Sequence, residues 1–224
     1  MALPLDGVKV VEFGHYIAAP LAGMLLADQG ADVVHVERPM GPPLDVAANE
    51  TWHRRKRLLT LDLKTAAARD AARDLVAEAD IVIENFRPGV MDRLGLGTAA
   101  MAELNPRLIY CSLPGFPSDD PRANVPGWDG VILAAMAGFR PWFEGATEAD
   151  EPAFTALPIA STFAALHVAN AIAMALLERA ESGSGQQIEV SLFAATYTAL
   201  GALGFRIHRR HVRESTRSFR PLFR

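Results

Sequence analysis

The sequence predicts an α/β fold built on a doubly wound, mostly parallel sheet. Short β-branched runs alternate with helical segments along most of the chain. The segment from Val8 to Arg38 holds a complete strand–turn–helix–strand unit. Half of the 224 residues are hydrophobic, which is enough for a large buried core. These observations predict parallel strands joined by right-handed crossover helices that cover both faces of one sheet.

The first unit is clear from its residue pattern. Val8 to Phe13 is a β-branched run, too short for a helix, and Asp32 to Glu37 is a second such run. Between them, Pro20 suits the first turn of a helix, where its missing N–H costs nothing. Gly30 can end that helix in a left-handed conformation. The turn before the helix, GHYIAAP, lacks the three glycines of a dinucleotide-binding fingerprint.

The same alternation continues along the chain. Further strands are predicted at Leu58 to Leu63, Ile81 to Glu84, Leu108 to Leu113 and Gln187 to Val190. Helices are predicted from Thr65 to Ala79, from Pro88, from Thr98, from Val131 to Ala137, from Ser161 to Glu181 and from Ser191. Phe116 to Gly127 is predicted to be a polar, proline-rich loop, and Arg140 to Pro158 is predicted to be irregular and acidic.

Composition argues against several classes of function. The net charge of −4 argues against nucleic acid as the main partner. The single cysteine, Cys111, lies in an apolar run, which predicts a buried core thiol and a reducing compartment. We expect no membrane-spanning segment and no secretory signal, and therefore a cytoplasmic protein. The histidines lack the spacing of a zinc site, so no metal is expected.

Residues 206–224 differ from the rest of the chain. This segment holds seven arginines, no lysine and a single acid, Glu214. Three interpretations stay open: an extended arm that wraps a partner subunit, a disordered basic tail, or a chain that stops short of its natural end. We therefore divide the chain into a domain of residues 1–205 and a tail or arm of residues 206–224.

Candidate binding residues follow the predicted strands. Ligands of parallel sheets bind at the carboxyl ends of the strands. The residues that the topology brings to this edge are Tyr16, Ile17, Ala18, Arg38, Lys64, Asn85 and Phe86, with Arg93 on the next helix. Cations beside an apolar surface suit a nucleotide-like ligand with phosphates. Taken singly, each cation is better explained as an ordinary solvated loop residue, and only the group of cations together indicates a phosphate site.

Five segments, in this order, resemble the family III CoA-transferases, which include formyl-CoA and carnitine CoA-transferases and the α-methylacyl-CoA racemases. They read PLDGVKVVEFGHYIAAPLAGMLLADQGADVVHVERP, RLLTLDLKT, ADIVIENFRPGVMDRLGL, LNPRLIYCSLPGF and LLERAESGSGQQIEVSLFAA. The resemblance covers Pro4 to about Ala195. It implies a Rossmann-like large domain, with the family's small domain largely absent here, and an interlocked homodimer. It also implies coenzyme A as the ligand, with an acyl-CoA and a carboxylic acid as substrates.

The resemblance also implies roles for individual residues. The turn of Tyr16, Ile17 and Ala18 resembles the contact with adenine or pantetheine, and Arg38 resembles the contact with the nucleotide end of CoA. Leu61 and Lys64 resemble contacts with the adenine and phosphates. Three further CoA contacts are implied at Asn85, Phe86 and Arg93.

Two positions depart from the family pattern. Ser161 stands where the transferases carry a nucleophilic aspartate, and Trp128 stands where the racemases carry an acid–base histidine. A serine hydroxyl cannot form the mixed anhydride that a carboxylate forms. We expect Ser161 to cap a helix, with no base beside it. Three hypotheses follow: a CoA-transferase, a non-catalytic CoA-binding subunit of a heteromer with a longer relative, or an incomplete fragment.

Overall fold

A computed structural model of the protein describes residues 2–43, 46–136 and 157–200. Its strands are β1 (Lys9–Phe13), β2 (Asp32–Glu37), β3 (Arg57–Thr60), β4 (Ile81–Glu84), β5 (Ile109–Ser112) and β6 (Gln186–Glu189). Its helices are α1 (Ala18–Asp28), α2 (Ala48–Trp52), α3 (Ala66–Ala77), α4 (Val90–Arg93), α5 (Thr98–Leu104), α6 (Asp129–Ala135), α7 (Ile159–Ser182) and α8 (Leu192–Leu200).

The described strands form one parallel sheet in the order β3-β2-β1-β4-β5-β6. This is the strand order of a Rossmann fold, and the predicted doubly wound α/β architecture is confirmed. The order reverses between β1 and β4, where the chain leaves β1 towards one edge and returns towards the other. A crevice at the carboxyl ends of the strands is therefore expected beside β1.

Helices cover both faces of the sheet, because side chains of each strand alternate between two apolar cores. On one face, α1 and α7 contact each other and pack over the inward residues Val10, Val33, Ile81 and Ile109. On the other face, α3 and α5 contribute Val76 and Met101 to a core with Val11, Val36 and Val82. The Cys111 thiol is fully buried in the first core, and burial raises the pKa of this thiol, which confirms the predicted core cysteine.

Most predicted boundaries agree with the structure within a few residues. Thr65 caps α3 as predicted, and its hydroxyl accepts a hydrogen bond of 3.3 Å from the backbone N of Ala68. Thr98 was expected to cap α5 but is its first residue, after Gly97. Strand β3 ends at Thr60 instead of Leu63, since the chain turns at Asp62, whose carboxylate accepts a hydrogen bond from the backbone N of Lys64.

Helix α7 corrects two expectations. It begins at Ile159, so Ser161 lies inside its first turn and is not its cap. It is also long and apolar enough, by length and composition, to cross a membrane, whereas the sequence was expected to hold no such segment. In the structure α7 packs against α1 and α8, and Arg179 in its last turn donates to Asp80 Oδ1 at 2.9 Å. The tail and most of the segment from Arg140 to Pro158 lie outside the described residues.

Candidate functional site

The turn after β1 is held against the end of β4 by Asn85. The side-chain oxygen of Asn85 accepts from the backbone N of His15 at 2.9 Å, and its Nδ2 donates to the His15 carbonyl at 2.8 Å. Gly14 makes this close approach possible, because a Cβ there would lie 3.0 Å from Asn85 Oδ1 and 2.5 Å from Ala19 Cβ. Tyr16 completes the turn with a φ of 63°, a left-handed conformation. Asn85 thereby positions the first residues of the predicted site.

A cleft of 230 Å³ opens at the carboxyl ends of β1, β2 and β4. Its wall contains four of the predicted residues: Arg38, Leu61, Lys64 and Phe86. Its apolar surface comes from Phe13, Val36, Leu61, Leu63, Phe86 and Leu94. These residues are distant in sequence and meet because parallel strands end at the same edge. The cleft is thus an apolar surface bordered by two cations, Arg38 and Lys64, and two carboxylates, Glu37 and Asp62.

Both cations stand on backbone that is held in place. Arg38 donates from Nε to the Gly41 carbonyl at 2.6 Å, and its backbone N donates to Glu37 Oε1 at 2.9 Å. The Lys64 carbonyl accepts from Arg69 Nη1 at 2.8 Å. Both residues are exposed, so both side chains are accessible to a ligand phosphate.

The other five predicted residues stand apart from the wall of this cleft. Tyr16 is 58% exposed and Arg93 is exposed on α4, while Ala18 is 2% exposed in the first turn of α1. Ile17 is the cap residue of α1, and the side-chain amide of Asn85 is engaged with His15. The CoA contacts that the resemblance implies for these five residues stay predictions.

His15, which follows β1 and Gly14, also lines the cleft. Its ring stands edge-on to Phe86 with centroids 5.2 Å apart, and its buried Nδ1 has no hydrogen-bond partner among the described residues. Burial lowers the pKa of His15, so its neutral form is favoured. The signal in the sequence was its position directly after β1 and Gly14.

A buried charged cluster lies beside the cleft on the α1 face of the sheet, and the sequence analysis missed it. Glu12 accepts from Lys56 Nζ at 2.6 Å, and its other oxygen lies 2.8 Å from His35 Nδ1. Burial alone would raise the pKa of Glu12, but Lys56 and His35 outweigh it and hold this pKa below its usual value. Burial also lowers the pKa of Lys56, against the opposing effect of Glu12.

Ser161 and Asp129 form a second contact that the sequence analysis did not predict. Ser161 Oγ donates to Asp129 Oδ2 at 2.5 Å, and the backbone N of Ser161 donates to Asp129 Oδ1 at 3.0 Å. The expectation that no base lies beside Ser161 is therefore wrong. Tertiary packing of α6 against α7 brings the carboxylate there from 32 residues away.

Comparison with known proteins identifies the family. The sequence model of CoA-transferase family III matches residues 5–216. The match extends beyond Ala195, where the resemblance was expected to end, and into the arginine-rich segment. The CoA-transferase/lyase DddD of Marinomonas sp. (strain MWYL1) is 42% identical over 200 residues, which are 88% of this chain and 24% of DddD. The succinate–glutarate CoA-transferase of Agrobacterium fabrum is 36% identical over 84% of this chain and 51% of that enzyme.

Solved structures of similar proteins support the same family assignment. A CaiB/BaiF family protein from Brucella suis is 38% identical, with a TM-score of 0.80 over 90% of this chain and 56% of that protein. A hypothetical protein from Mycobacterium tuberculosis is 31% identical, with a TM-score of 0.81 over 90% of this chain and 58% of its own. The chain thus spans about half the length of these relatives, and a quarter of DddD. Through the family match and the shared fold, the chain belongs to CoA-transferase family III.

Proposed function

We propose that this chain binds an acyl-CoA in the cleft at the carboxyl ends of β1, β2 and β4, as part of an assembly that transfers CoA from a thioester to a carboxylic acid. The observation that carries the proposal is the cleft itself, in which Arg38 and Lys64 flank an apolar wall. CoA-transferases act on CoA thioesters, and the family match makes this ligand the one to test.

The chemistry of the cleft suits coenzyme A in two respects. Its cations match phosphate: the guanidinium of Arg38 offers a planar set of donors, and the ammonium of Lys64 offers a compact charge. Its apolar wall, with Leu61 and Phe86, suits the flat face of an adenine. We therefore assign the nucleotide end of CoA to this cleft.

Calorimetry with CoA tests the assignment directly. We expect Arg38→Ala to weaken binding at least tenfold, about 1.4 kcal/mol, because a charge-assisted contact to phosphate is lost. Arg57→Ala is the matched control, since Arg57 pairs with Asp32 on the surface and does not line the cleft. Equal affinity of the wild type and Arg38→Ala would contradict the assignment, as would an equal loss in both variants.

The bond between Ser161 and Asp129 bears on the reaction. Asp129 is placed to accept the proton of Ser161 if the hydroxyl attacks a thioester carbonyl. That attack would form a seryl ester and release CoA. In this first candidate the chain itself carries the acyl group, although an ester is less reactive than the anhydride of an aspartate.

A second candidate is a non-catalytic CoA-binding subunit of a heteromeric CoA-transferase. Ser161 is only 5% exposed and both oxygens of Asp129 are engaged, which favours a structural role for this pair. A longer relative would then supply the nucleophile. Co-purification of such a relative from the source organism supports this candidate, and CoA transfer by the lone chain would exclude it.

The outer face of α7 supports an oligomeric protein under either candidate. Leu166, Met174 and Leu177 lie on this helix and are 45%, 64% and 65% exposed. Exposed apolar residues on one helix favour contact with another protein surface. We infer a homodimer, or a heteromer with a longer relative, and the mass of the protein in solution tests this.

A further inference from the structure

His53 adds an imidazole to the carboxyl end of β2. His35 and Glu37 alternate along β2 and therefore point to the same face of the sheet. His53 follows α2, and its ring lies 4.4 Å from the ring of His35 between centroids. One nitrogen of each histidine and one oxygen of Glu37 all lie within 4.8 Å of one another. Three potential metal ligands thus converge from two segments of the chain.

The cluster leaves a polar atom unused. His53 Nδ1 is buried and has no hydrogen-bond partner among the described residues. A buried polar atom without a partner costs free energy, and such atoms are uncommon in folded proteins. His35 Nε2 is at 3.4 Å from Glu37 Oε2, a long contact. Both observations are consistent with side chains arranged around a shared ligand.

Glu12 orients His35 in the way that carboxylates orient metal-binding histidines. Its Oε1 lies 2.8 Å from His35 Nδ1 in a site where both side chains are almost fully buried. If His35 Nδ1 donates to this carboxylate when a metal binds, Nε2 presents its lone pair on the side of Glu37. The other oxygen of Glu12 accepts from Lys56, so the ammonium is bound to Glu12 and not to the three converging side chains.

We propose that His35, Glu37 and His53 bind a divalent transition metal of the zinc class. Two imidazoles and one carboxylate are a common ligand set for such ions, and a fourth position stays open for water or an anion. Bonds of about 2.0–2.2 Å place tetrahedral ligands about 3.3–3.6 Å apart, so the ligand atoms, now up to 4.8 Å apart, need to close by up to about 1.5 Å. His53 can supply this movement, because it follows the short helix α2 and is only half-buried.

The site differs from what the sequence predicted. The histidines lie 18 residues apart and match no zinc motif, so no metal was expected. The proposal does not depend on CoA binding, since its test uses metal alone. Glu37 also lines the CoA cleft, which makes the open metal position a neighbour of that cleft.

Titration with Co²⁺, followed by visible absorption, tests the site in the full chain after treatment with a chelator. We expect one Co²⁺ per chain with a d–d band, and displacement by Zn²⁺. His53→Asn should weaken binding at least tenfold, and Glu37→Gln serves as a second variant. His208→Asn/His211→Asn is the matched control, because these histidines lie in the arginine-rich tail and could add background binding.

The outcomes are separable. Binding that survives in the tail variant and is lost in His53→Asn supports the site. No Co²⁺ binding by a folded wild type, or unchanged affinity in His53→Asn, overturns it. A melt without metal must show that His53→Asn folds like the wild type. Zn²⁺ should then raise the melting temperature of the wild type and of the tail variant, but not that of His53→Asn.

Discussion

At the scale of single residues, the buried charges beside the cleft depend on a paired charge and on a glycine that leaves space for it. Glu12 and Lys56 each have a fully buried side chain, and Lys56 Nζ also donates to the Pro20 carbonyl at 2.6 Å. Removing one partner of such a pair leaves an uncompensated buried charge. Gly23 of α1 creates the necessary space, because a Cβ there would lie 2.1 Å from Glu12 Oε2 and 3.1 Å from Lys56 Nζ.

Gly23→Ala should therefore destabilise the protein. We expect the free energy of unfolding to fall by about 2–4 kcal/mol, because the added methyl forces the buried pair apart. Helix propensity alone predicts the opposite, a gain of about 1 kcal/mol. Urea denaturation measures the difference in the free energy of unfolding between Gly23→Ala and the wild type. A more stable variant would show that α1 does not confine the buried pair.

At the level of elements, the carboxyl end of β4 holds an unusual acid. Glu84 is buried, and its Oε2 accepts from the backbone N of Phe86 at 2.8 Å. Burial raises the pKa of Glu84, against hydrogen bonds from Ser112 and Phe86, and Asp92 and Glu189 raise it further. The folded chain therefore holds this proton to higher pH than the unfolded chain, and stability falls as the pH rises through the folded pKa.

Glu84→Gln should stabilise the protein at about pH 8, where the wild type must bury a carboxylate, and the gain should shrink towards about pH 4. Thermal melts across this range measure the effect. Glu78→Gln is the matched control, since Glu78 is exposed in a surface pair with Lys9 and should show little change. A gain for Glu84→Gln that is independent of pH would indicate a packing effect instead.

At the scale of the whole molecule, the open question is whether a chain that spans half of its relatives performs the chemistry alone. If it does, incubation with an acyl-CoA should leave an acyl ester on Ser161, detected by mass spectrometry of its peptide. Asp129→Asn should slow this step at least a hundredfold, because the base is lost while a hydrogen-bonding side chain remains. Ser161→Ala should form no adduct.

The alternatives give different results in the same experiment. CoA transfer without an adduct would dismiss the serine route. Neither transfer nor adduct, from a folded chain that binds CoA, would support the non-catalytic subunit. A sample without a cooperative melt would support the third hypothesis, an incomplete fragment.

Local pattern predicted every described element except α2, because strand and helix periodicity depends on neighbouring residues. The segment that holds Ala48–Trp52 was expected to be part of a loop. The β-branched runs placed every described strand, and strand ends at a common edge brought Arg38, Lys64 and Phe86 to one cleft. Periodicity failed at the boundaries of α5, α7 and β3. At these boundaries, capping hydrogen bonds and turns decide where an element begins or ends, and several neighbouring residues can serve as its end equally well.

The sequence by itself determined the α/β class, the family and the cations of the cleft, because these depend on local pattern and ordered motifs. Only the tertiary structure decided what lies beside them. Lys56 meets Glu12 across 44 residues, and Asp129 meets Ser161 across 32. Such contacts depend on strand register and helix packing, which bring together side chains that no local pattern links. For the same reason, the two histidines and the glutamate at the end of β2 became visible as one site only in the folded chain.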